Sequence, residues 1–269
     1  MSLVSSNSHP RDRLIKFNKS RHAYATDRCP YLRSITKIVS DQFPRFDHDK
    51  VISKMKGSDK WETSKYYGMS NKEIKSLWNK NARESREEGT KLHDMIEKYC
   101  NGYEIEVYEE DTALNQFLEW AETNELNPYR TEWRIFDDDL KIAGTPDAVF
   151  ENEKGEFVLI DWKRCKEIKK NNRFDCSVHP ELKHLPDCNF VKYSLQLNLY
   201  KYILEKNYDM KISKMLILNM HPDQSSFEEI EALDLEKEVS IILGLRRSRD
   251  VELKPETGIR ITGTLYLSK

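Results

Sequence analysis

Apolar residues recur at helical spacing through the first half of the chain. Ser70 and Glu73 have the spacing of a capping box ahead of an apolar stripe, which predicts that a helix begins there. A second helical pattern follows Gly89 and ends at the Asn-Gly pair 101–102, and a third covers residues 113–122. The first half of the chain is therefore predicted to be mainly helical.

The hydrophobic period changes in the middle of the chain. Residues 131–136, 141–150 and 156–162 are short β-rich segments. Three consecutive aspartates at 137–139 and an Asn-Glu-Lys-Gly turn at 152–155 separate them. This pattern predicts a three-stranded antiparallel meander.

Helical spacing returns in the last third of the chain. Residues 189–206 predict a helix, and residues 215–220 form an almost continuous apolar run of buried-strand length. A helix between two strands indicates an α/β crossover. Residues 233–245 then predict a closing helix, and residues 259–267 predict a last strand.

The composition limits the class of protein. The chain has 269 residues, of which 38% are hydrophobic, and it lacks the run of about 18 apolar residues that a membrane-spanning helix needs. We therefore expect a globular protein with one large core, outside the membrane and secreted classes. Five cysteines without a Cys-x-x-Cys pair favour an intracellular, reducing compartment such as the cytoplasm or the nucleus.

Charge is balanced overall but is uneven along the chain. Lys and Arg total 44 against 46 Asp and Glu, so any polyanion would have to bind in a local basic groove. Residues 1–34 are an exception, because seven Lys and Arg face only two Asp. We expect this segment to be a polar, basic arm that is mobile or lines a groove, followed by a single domain over residues 35–269.

Three acidic residues that could carry chemistry fall on the predicted strands, Glu132, Asp147 and Asp161, and Lys163 directly follows the third of these strands. Asp161 and Lys163 are two residues apart, which places both side chains on one face of a strand. Asp161 follows the apolar stretch 157–160, and a buried charge is costly unless it meets a metal ion or an opposite charge. Oxygen ligands without a thiolate favour Mg²⁺ or Mn²⁺. A single Asp at a strand end is also explained by a turn cap or a surface ion pair.

A second candidate metal site lies in the polar stretch before residue 189. Cys176, His179, His184 and Cys188 fall within thirteen residues, and all four side chains can bind zinc. Their spacing is not that of an ordinary zinc ribbon, and the prolines and charges between them favour an irregular substrate loop. Zinc binding by this group stays open at this point.

Five short motifs follow one another along the chain. They are Gly-Thr-Lys-Leu-His at 89–93, Glu132, Gly-Thr-Pro-Asp-Ala-Val at 144–149, Ile-Asp-Trp-Lys at 160–163 and Gln-Leu-Asn-Leu-Tyr at 196–200. Their order and separation resemble those of RecB-like nucleases in the PD-(D/E)XK superfamily, which includes lambda-type exonucleases of phages and large DNA viruses. An Asp-x-Lys pair alone is common by chance, whereas the ordered set is specific.

The resemblance implies a role for each residue of the central motifs. Asp147 and Asp161 would bridge a divalent metal ion, with the backbone carbonyl of Trp162 as a further ligand. Lys163 would be the catalytic lysine, which positions water and offsets charge on the phosphate. His93 would complete the metal site from a helix, and a surface histidine is the alternative.

The remaining motif residues have less distinctive surroundings. Glu132 matches the acidic catalytic position of the first core strand, and a cross-strand surface charge is its alternative explanation. Gln196 and Tyr200 lie four residues apart on one helix face and match a motif that contacts the substrate backbone. Simple core packing would also explain Tyr200.

Basic residues are frequent directly after the Asp-x-Lys strand. Because a loop that leaves this strand must pass the site, they are candidate contacts to substrate phosphates, although a solvated loop explains them almost as well. These candidates are Arg164, Lys166, Lys169, Lys170 and Arg173.

The resemblance implies an α/β, restriction-endonuclease-like core, with a central mixed β-sheet flanked by helices and an N-terminal helical portion. Residues 35–125 would form a mainly helical wall, residues 126–220 the catalytic core and residues 221–269 the C-terminal elements. This organisation would place the N-terminal helices along one wall of the substrate cleft.

The implied activity is Mg²⁺-dependent hydrolysis of DNA phosphodiester bonds, with Mn²⁺ as a substitute. An exonuclease in DNA recombination, repair or genome processing is expected, and a recombinase or single-strand-binding protein is a candidate partner. A structure-selective or nicking endonuclease and a non-catalytic nucleic-acid-binding module are the alternatives. The intact Asp147, Asp161 and Lys163 argue against the non-catalytic alternative.

Overall fold

The computed structural model describes residues 2–252, which form seven α-helices and ten β-strands. The helices are α1 (Leu3–Ser6), α2 (Ile35–Ser40), α3 (His48–Lys56), α4 (Asn71–Cys100), α5 (Thr112–Thr123), α6 (Asn189–Asn207) and α7 (Glu236–Glu252). The strands are β1 (Ile15–Asn18), β2 (Ala23–Thr26), β3 (Arg33–Ser34), β4 (Asn127–Thr131), β5 (Ile135–Asp137), β6 (Ile142–Gly144), β7 (Ala148–Glu151), β8 (Phe157–Lys163), β9 (Ile212–Asn219) and β10 (Glu228–Glu231).

The centre of the fold is a five-stranded mixed sheet with the strand order β10-β9-β8-β7-β4. Strands β8 and β9 run parallel, whereas the other neighbouring pairs in this sheet are antiparallel. Helix α6 connects β8 to β9 and supplies the crossover that parallel neighbours need. The predicted α/β class, with a mixed sheet flanked by helices, is confirmed.

Hydrophobic clusters cover both faces of the central sheet. On one face, Leu159 and Ile217 pack in a cluster that includes residues of α2, α6 and α7. On the other face, Ile160 and Leu218 pack with residues of α4 and α5. Successive residues of β8 alternate between the clusters because side chains on a strand point to opposite faces. Burial on both faces also explains why β8 is apolar without alternation in the sequence.

The region from residue 131 to residue 150 divides between two sheets. Strands β4 and β7 pair in the central sheet, while β5 and β6 pair with each other in a separate three-stranded sheet that includes β3. The end of β4 and strand β5 therefore replace the predicted strand 131–136, and β6 and β7 replace the predicted strand 141–150. One break falls at Glu132, whose φ of +44° interrupts an extended backbone. The prediction of a simple three-stranded meander is wrong in this respect.

Helix α4 is longer than the sequence pattern predicts. Ser70 and Glu73 form the predicted capping box at its N-terminus, but the helix continues through Gly89 as one element of 30 residues. Glycine in a helix costs about 1 kcal/mol relative to alanine. The burial of Leu92 and Ile96 beyond Gly89 outweighs this cost, so the two predicted helices are one.

The later elements lie close to their predicted positions. Helix α6 begins at Asn189 as predicted, strand β9 begins three residues earlier than predicted, and α7 begins at Glu236. The predicted strand at 259–267 lies outside the described residues. Within residues 2–252, we find no helix long and apolar enough to cross a membrane.

The N-terminal segment, expected from the sequence to be a polar, basic arm that is mobile or lines a groove, packs on strand β4 of the central sheet. Arg130 Nη1 on β4 and the Trp133 indole each donate a hydrogen bond of 2.8 Å to the carboxylate of Asp12. Asn7 donates to the carbonyl of Tyr129 on the same strand. Strands β1 and β2 form a hairpin, and β3 pairs with β6. The chain division at residue 34 stays a prediction.

A buried carboxylate stabilises the junction of β5 and α6. The side chain of Asp137 is 1% exposed and accepts hydrogen bonds from Lys206 Nζ at 2.7 Å, Asn207 Nδ2 at 3.0 Å and the Leu140 N–H at 2.9 Å. Burial alone would raise the pKa of Asp137, but its hydrogen bonds, first of all that from Lys206, lower the pKa overall. The ionised carboxylate therefore stabilises the folded state.

We expect Asp137→Asn to lower the free energy of unfolding by about 1–3 kcal/mol at pH 7, because it removes charge-assisted hydrogen bonds. A lowered pKa stabilises the folded state above the unfolded value and loses this effect as the pH falls, so the deficit should shrink below about pH 4. Urea unfolding followed by tryptophan fluorescence measures it. Asp139→Asn is the control, because Asp139 is 89% exposed and lies 3.9 Å from Lys206. Equal effects of both substitutions would contradict this account.

Candidate active site

The C-terminal end of β8 places an acid and a cation side by side. Lys163 Nζ lies 2.6 Å from Asp161 Oδ2 and 3.9 Å from Asp147 Oδ2. Asp147 directly precedes β7, and the antiparallel register pairs Ala148 with Ile160. This register brings Asp147 to the two β8 side chains. Asp147 therefore lies beside Asp161 and Lys163, which follow it in the sequence by fourteen and sixteen positions.

Asp161 is fully buried, with 0% of its side chain exposed. Among the described residues neither oxygen of its carboxylate has a hydrogen-bond partner, and Lys163 is an ion-pair partner on the Oδ2 side only. Burial raises the pKa of Asp161, although Lys163 opposes the rise. For Lys163, burial would lower the pKa, but Asp161 and Asp147 raise it overall. The lysine is therefore held in its charged form.

His93 and Glu132 complete a cluster around Asp147. One candidate ligand atom from each of the three side chains lies within 4.8 Å of the other two. His93 Nδ1 is 3.5 Å from Glu132 Oε1 and 3.8 Å from Asp147 Oδ1. Burial would lower the pKa of His93, but the two carboxylates, with Asp147 first, raise it overall. The structure brings together one helix residue and two residues at strand ends, and their role as metal ligands stays a prediction.

The backbone at Glu132 holds an uncommon conformation. Its φ of +44° lies in the left-handed region, which side chains other than glycine enter at a cost of about 1–2 kcal/mol. Its N–H donates to the carbonyl of Asp147 at 2.9 Å, and the next residue, Trp133, donates to the carbonyl of Pro146. These bonds tie the two acidic segments together and fix the position of the Glu132 side chain beside His93.

Trp162 contributes to the site through its backbone, whereas its side chain belongs to the core. The indole lies edge-on to Phe117 and Trp120, with ring centres 5.5 and 5.6 Å away. The Trp162 N–H donates to Asp147 Oδ2 at 2.9 Å and orients that carboxylate. Metal binding by the Trp162 carbonyl stays a prediction.

Gln196 and Tyr200 lie on one face of α6, as their spacing predicts. Gln196 Nε2 donates to the Tyr200 hydroxyl at 3.0 Å. Tyr200 is 2% exposed within the first hydrophobic cluster, and burial, with smaller effects of Asp147 and Asp161, raises the pKa of its hydroxyl well above the ordinary value. Tyr200 is therefore a core residue beside the carboxylates, and contact of this pair with substrate stays a prediction.

Tyr193 is a site residue that the sequence reasoning did not identify. Lys163 Nζ lies 4.9 Å from the centre of the Tyr193 ring, a cation–π geometry that limits the positions of the ammonium. Tyr193 is three residues before Gln196 on α6, so the two side chains lie on the same face of this helix, next to the site. That spacing is the signal that could have identified it.

A second unexpected contribution comes from the N-terminal segment. Tyr24 on β2 is 3% exposed, and its hydroxyl lies 2.9 Å from the Thr145 hydroxyl within the Gly-Thr-Pro-Asp motif. The hydrogen bond holds the turn that presents Asp147. No local sequence pattern indicates it, because the two residues are separated by 121 positions.

The basic residues after β8 are only partly close to the carboxylates. Arg164 is half-buried and lies 3.9 Å from Glu88 on α4, and Lys166 pairs with Asp223. Lys169, Lys170 and Arg173 are exposed along the loop that follows. Their contact with substrate phosphates stays a prediction.

The structure does not support the alternative zinc site. Within the described residues, the one group of metal-capable side chains with converging ligand atoms contains His93, Glu132 and Asp147. His184 instead bonds Glu238 at 2.8 Å, and Cys176 faces Pro186 in an isolated β-bridge. His184 and Cys176 therefore have other contacts, to helix α7 and within the loop, respectively.

The acidic cluster fits a divalent cation. Asp161 Oδ1 is a buried oxygen without a partner among the described residues. The ligand atoms of His93, Glu132 and Asp147 converge on one another, and Lys163 lies within ion-pair distance of both Asp147 and Asp161. The donors are carboxylate oxygens and one imidazole, with no thiolate, which suits Mg²⁺ or Mn²⁺. The residues that would hold the ion are His93, Glu132, Asp147 and Asp161.

Comparison with known proteins identifies the class. The family model of the PD-(D/E)XK nuclease superfamily matches residues 70–252, a segment that contains the whole cluster. The chain belongs to the PD-(D/E)XK nuclease superfamily. No curated protein matches it significantly. A solved structure titled "Crystal structure of SSO0001" is similar at 17% identity and a TM-score of 0.28, over 51% of this chain. The match spans 57% of that structure, a little over half its length.

Gly144 offers a test of how tightly the site is packed. A Cβ atom at this position would lie 2.5 Å from Tyr200 Cε1 and 3.1 Å from Ile35 Cδ1. We expect Gly144→Ala to destabilise the protein by about 1–3 kcal/mol through overpacking. Thermal unfolding measures the change.

The matched control is Gly89→Ala in the middle of α4. Nothing lies within 4 Å of a Cβ atom added there, so alanine should stabilise the helix by up to about 1 kcal/mol. A stable Gly144→Ala protein would show that Tyr200 does not pack as tightly against this strand as described.

Proposed function

We propose that the protein is a metal-dependent deoxyribonuclease of the RecB-like, lambda-type group, acting as an exonuclease in DNA recombination, repair or genome processing. The observation that carries the proposal is the cluster of His93, Glu132 and Asp147, together with Lys163, which lies 3.9 Å from Asp147 and 2.6 Å from the buried Asp161. Superfamily membership supports hydrolysis of nucleic acid. The ordered motifs of the sequence support the RecB-like assignment, with Mg²⁺ as the proposed ion and Mn²⁺ as a substitute.

Each residue has a physical role in this proposal. When bound, a divalent cation lowers the pKa of a water molecule and neutralises charge on the phosphate. Lys163, held charged by Asp161 and Asp147, lies where an ammonium can orient the attacking water and offset the charge that develops on phosphate oxygens. Tyr193 limits the movement of this ammonium. Burial around Asp161 excludes bulk water and strengthens these electrostatic interactions.

The surroundings of the site support binding of DNA. Arg164 and the exposed Lys169, Lys170 and Arg173 follow the catalytic strand, and cations at these positions can contact successive phosphates. We propose an intracellular, reducing location, where the five free thiols would persist. A recombinase or a single-strand-binding protein is the proposed kind of protein partner.

We expect Asp161→Asn and Lys163→Ala each to reduce cleavage of linear DNA by at least tenfold while the protein stays folded. The loss corresponds to about 1.4 kcal/mol or more of transition-state stabilisation. Initial rates on end-labelled DNA with Mg²⁺, with circular dichroism as the check on folding, measure it. The controls are Asp139→Asn and Lys211→Ala, whose side chains are 89% and 77% exposed. Cleavage by both site variants at more than a tenth of the parent rate would refute the assignment.

Attack from strand ends is tested with circular and linear forms of the same DNA. Both present identical phosphodiester bonds to Asp147, Asp161 and Lys163 and differ only in having ends. We expect the closed duplex and the circular single strand to survive, while the linear forms are degraded progressively to short products. Gel analysis over time measures both. Comparable initial rates on closed and linear DNA would favour an endonuclease and leave the metal chemistry unchanged.

A further inference from the structure

Three large aromatic side chains are exposed on one part of the molecule that the proposed chemistry does not use. Phe174, Phe46 and Tyr67 are 79%, 64% and 57% exposed, respectively. Aromatic rings normally bury 150–250 Å² each and dominate cores and interfaces. Phe174 lies in the loop after β8, and the other two flank α3 and the turns that follow it. Such exposure is typical of surfaces that bind another molecule.

Lysines lie against aromatic rings on this surface. Lys54 Nζ is 4.2 Å from the centre of the Phe174 ring, so the loop after β8 and helix α3 contact each other. Lys56 Nζ lies 5.6 Å from the ring of Trp61, which is partly buried. Each of these rings is a flat surface on which another ring could stack, and each has a positively charged ammonium group beside it. We refer to Phe46, Lys54, Lys56, Lys60, Trp61, Lys65, Tyr67 and Phe174 as the aromatic track.

Three lysines of the track have no acidic partner in the part of the chain that the structure describes. Residues 45–83 contain ten Lys and Arg against five Asp and Glu, in a chain whose net charge is −2. Among the described residues, Lys54, Lys60 and Lys65 have no carboxylate within ion-pair distance, in contrast to Lys75, which pairs with Asp49 at 2.7 Å. Unpaired lysines beside exposed rings leave a local excess of positive charge. The complementary ligand is a polyanion.

The helices beneath the track hold it in place. Ile52 on α3 and Ile74 on α4 are both 0% exposed. The Trp78 indole donates to the Tyr66 hydroxyl at 2.9 Å, and the Phe46 ring lies edge-on to Trp78. The exposed rings therefore extend from a packed hairpin of α3 and the first part of α4. A preformed surface of this kind loses little conformational entropy on binding.

The loop that carries Phe174 begins at the catalytic strand. It follows Lys163 directly. Hydrogen bonds from the Val178 N–H and the Ser177 hydroxyl to the Gln42 carbonyl hold it against the segment before α3. The basic residues Lys169, Lys170 and Arg173 lie between Lys163 and Phe174 in sequence. The loop therefore runs from the candidate active site to the track, and the basic residues lie along it.

We propose that the aromatic track binds a single-stranded segment of nucleic acid, outside the metal site. Bases stack on the exposed rings, and phosphates contact the lysines. A single strand is favoured over a duplex because the bases of a duplex are already stacked and paired, and their faces are not available to Phe174 or Tyr67. The proposal deepens the proposed nuclease function and rests on it, since the bound segment belongs to the strand being processed.

Binding without cleavage tests the track. The full chain carrying Asp161→Asn is titrated against fluorescein-labelled oligo(dT) and a blunt duplex of equal length, at one salt concentration, with fluorescence anisotropy as the readout. Adding Phe174→Ala or Tyr67→Ala should weaken oligo(dT) binding at least fivefold, as expected for one lost base–aromatic stack. Duplex binding should change less than twofold. Both rings are exposed, and a thermal melt checks that each variant is folded.

Tyr108→Ala is the matched control, because Tyr108 is 54% exposed but lies in an acidic stretch after α4. It should bind oligo(dT) as the parent does. Unchanged oligo(dT) affinity in both track variants, or an equal loss for oligo(dT) and duplex, would overturn the proposal. Cleavage is measured separately with the unsubstituted chain. If that chain cleaves no DNA with Mg²⁺ or Mn²⁺ while oligo(dT) binding still depends on the track, the track is supported and the nuclease proposal is refuted. The two failures are therefore distinguishable.

Discussion

The ion pair of Asp161 and Lys163 at the end of a buried strand is the interaction on which the rest of the site depends. A carboxylate taken out of water costs several kcal/mol unless opposite charge compensates it. Lys163 compensates one oxygen of Asp161, and the other has no partner among the described residues. The cluster beside it supplies further donors for a cation. A strand buried on both faces can therefore end in two charged side chains.

The surrounding elements hold the other charged groups against this pair. The antiparallel register of β7 and β8 brings Asp147 close, and the Trp162 N–H orients its carboxylate. Helix α4 presents His93, and the left-handed backbone at Glu132 presents the third ligand group. Each contact comes from a different segment of the chain. The site consequently forms only when the sheet and its flanking helices are packed together.

The proposed chemistry and the proposed substrate binding occupy different kinds of structure in this protein. The metal-capable groups lie on strand ends and a long helix, and side chains on such elements are held more precisely than side chains on loops. The exposed cations and rings lie on the loop after β8 and on the α3 hairpin, and the loop is anchored to the main core through Ile168, Leu182 and Leu185. In the proposed function, the basic surfaces would bind a polyanionic strand beside the metal-capable groups.

The sequence by itself determined the α/β class, the crossover helix α6 and the identity of the charged groups, because strand and helix periods and the ordered motifs are local properties. It did not determine where β4 to β7 divide between two sheets, or that Gly89 lies inside one helix, because tertiary packing overrides local propensity there. It also did not indicate the Tyr24–Thr145 hydrogen bond or the ordered N-terminal segment. Those contacts join positions more than a hundred residues apart, and only the folded chain brings them together.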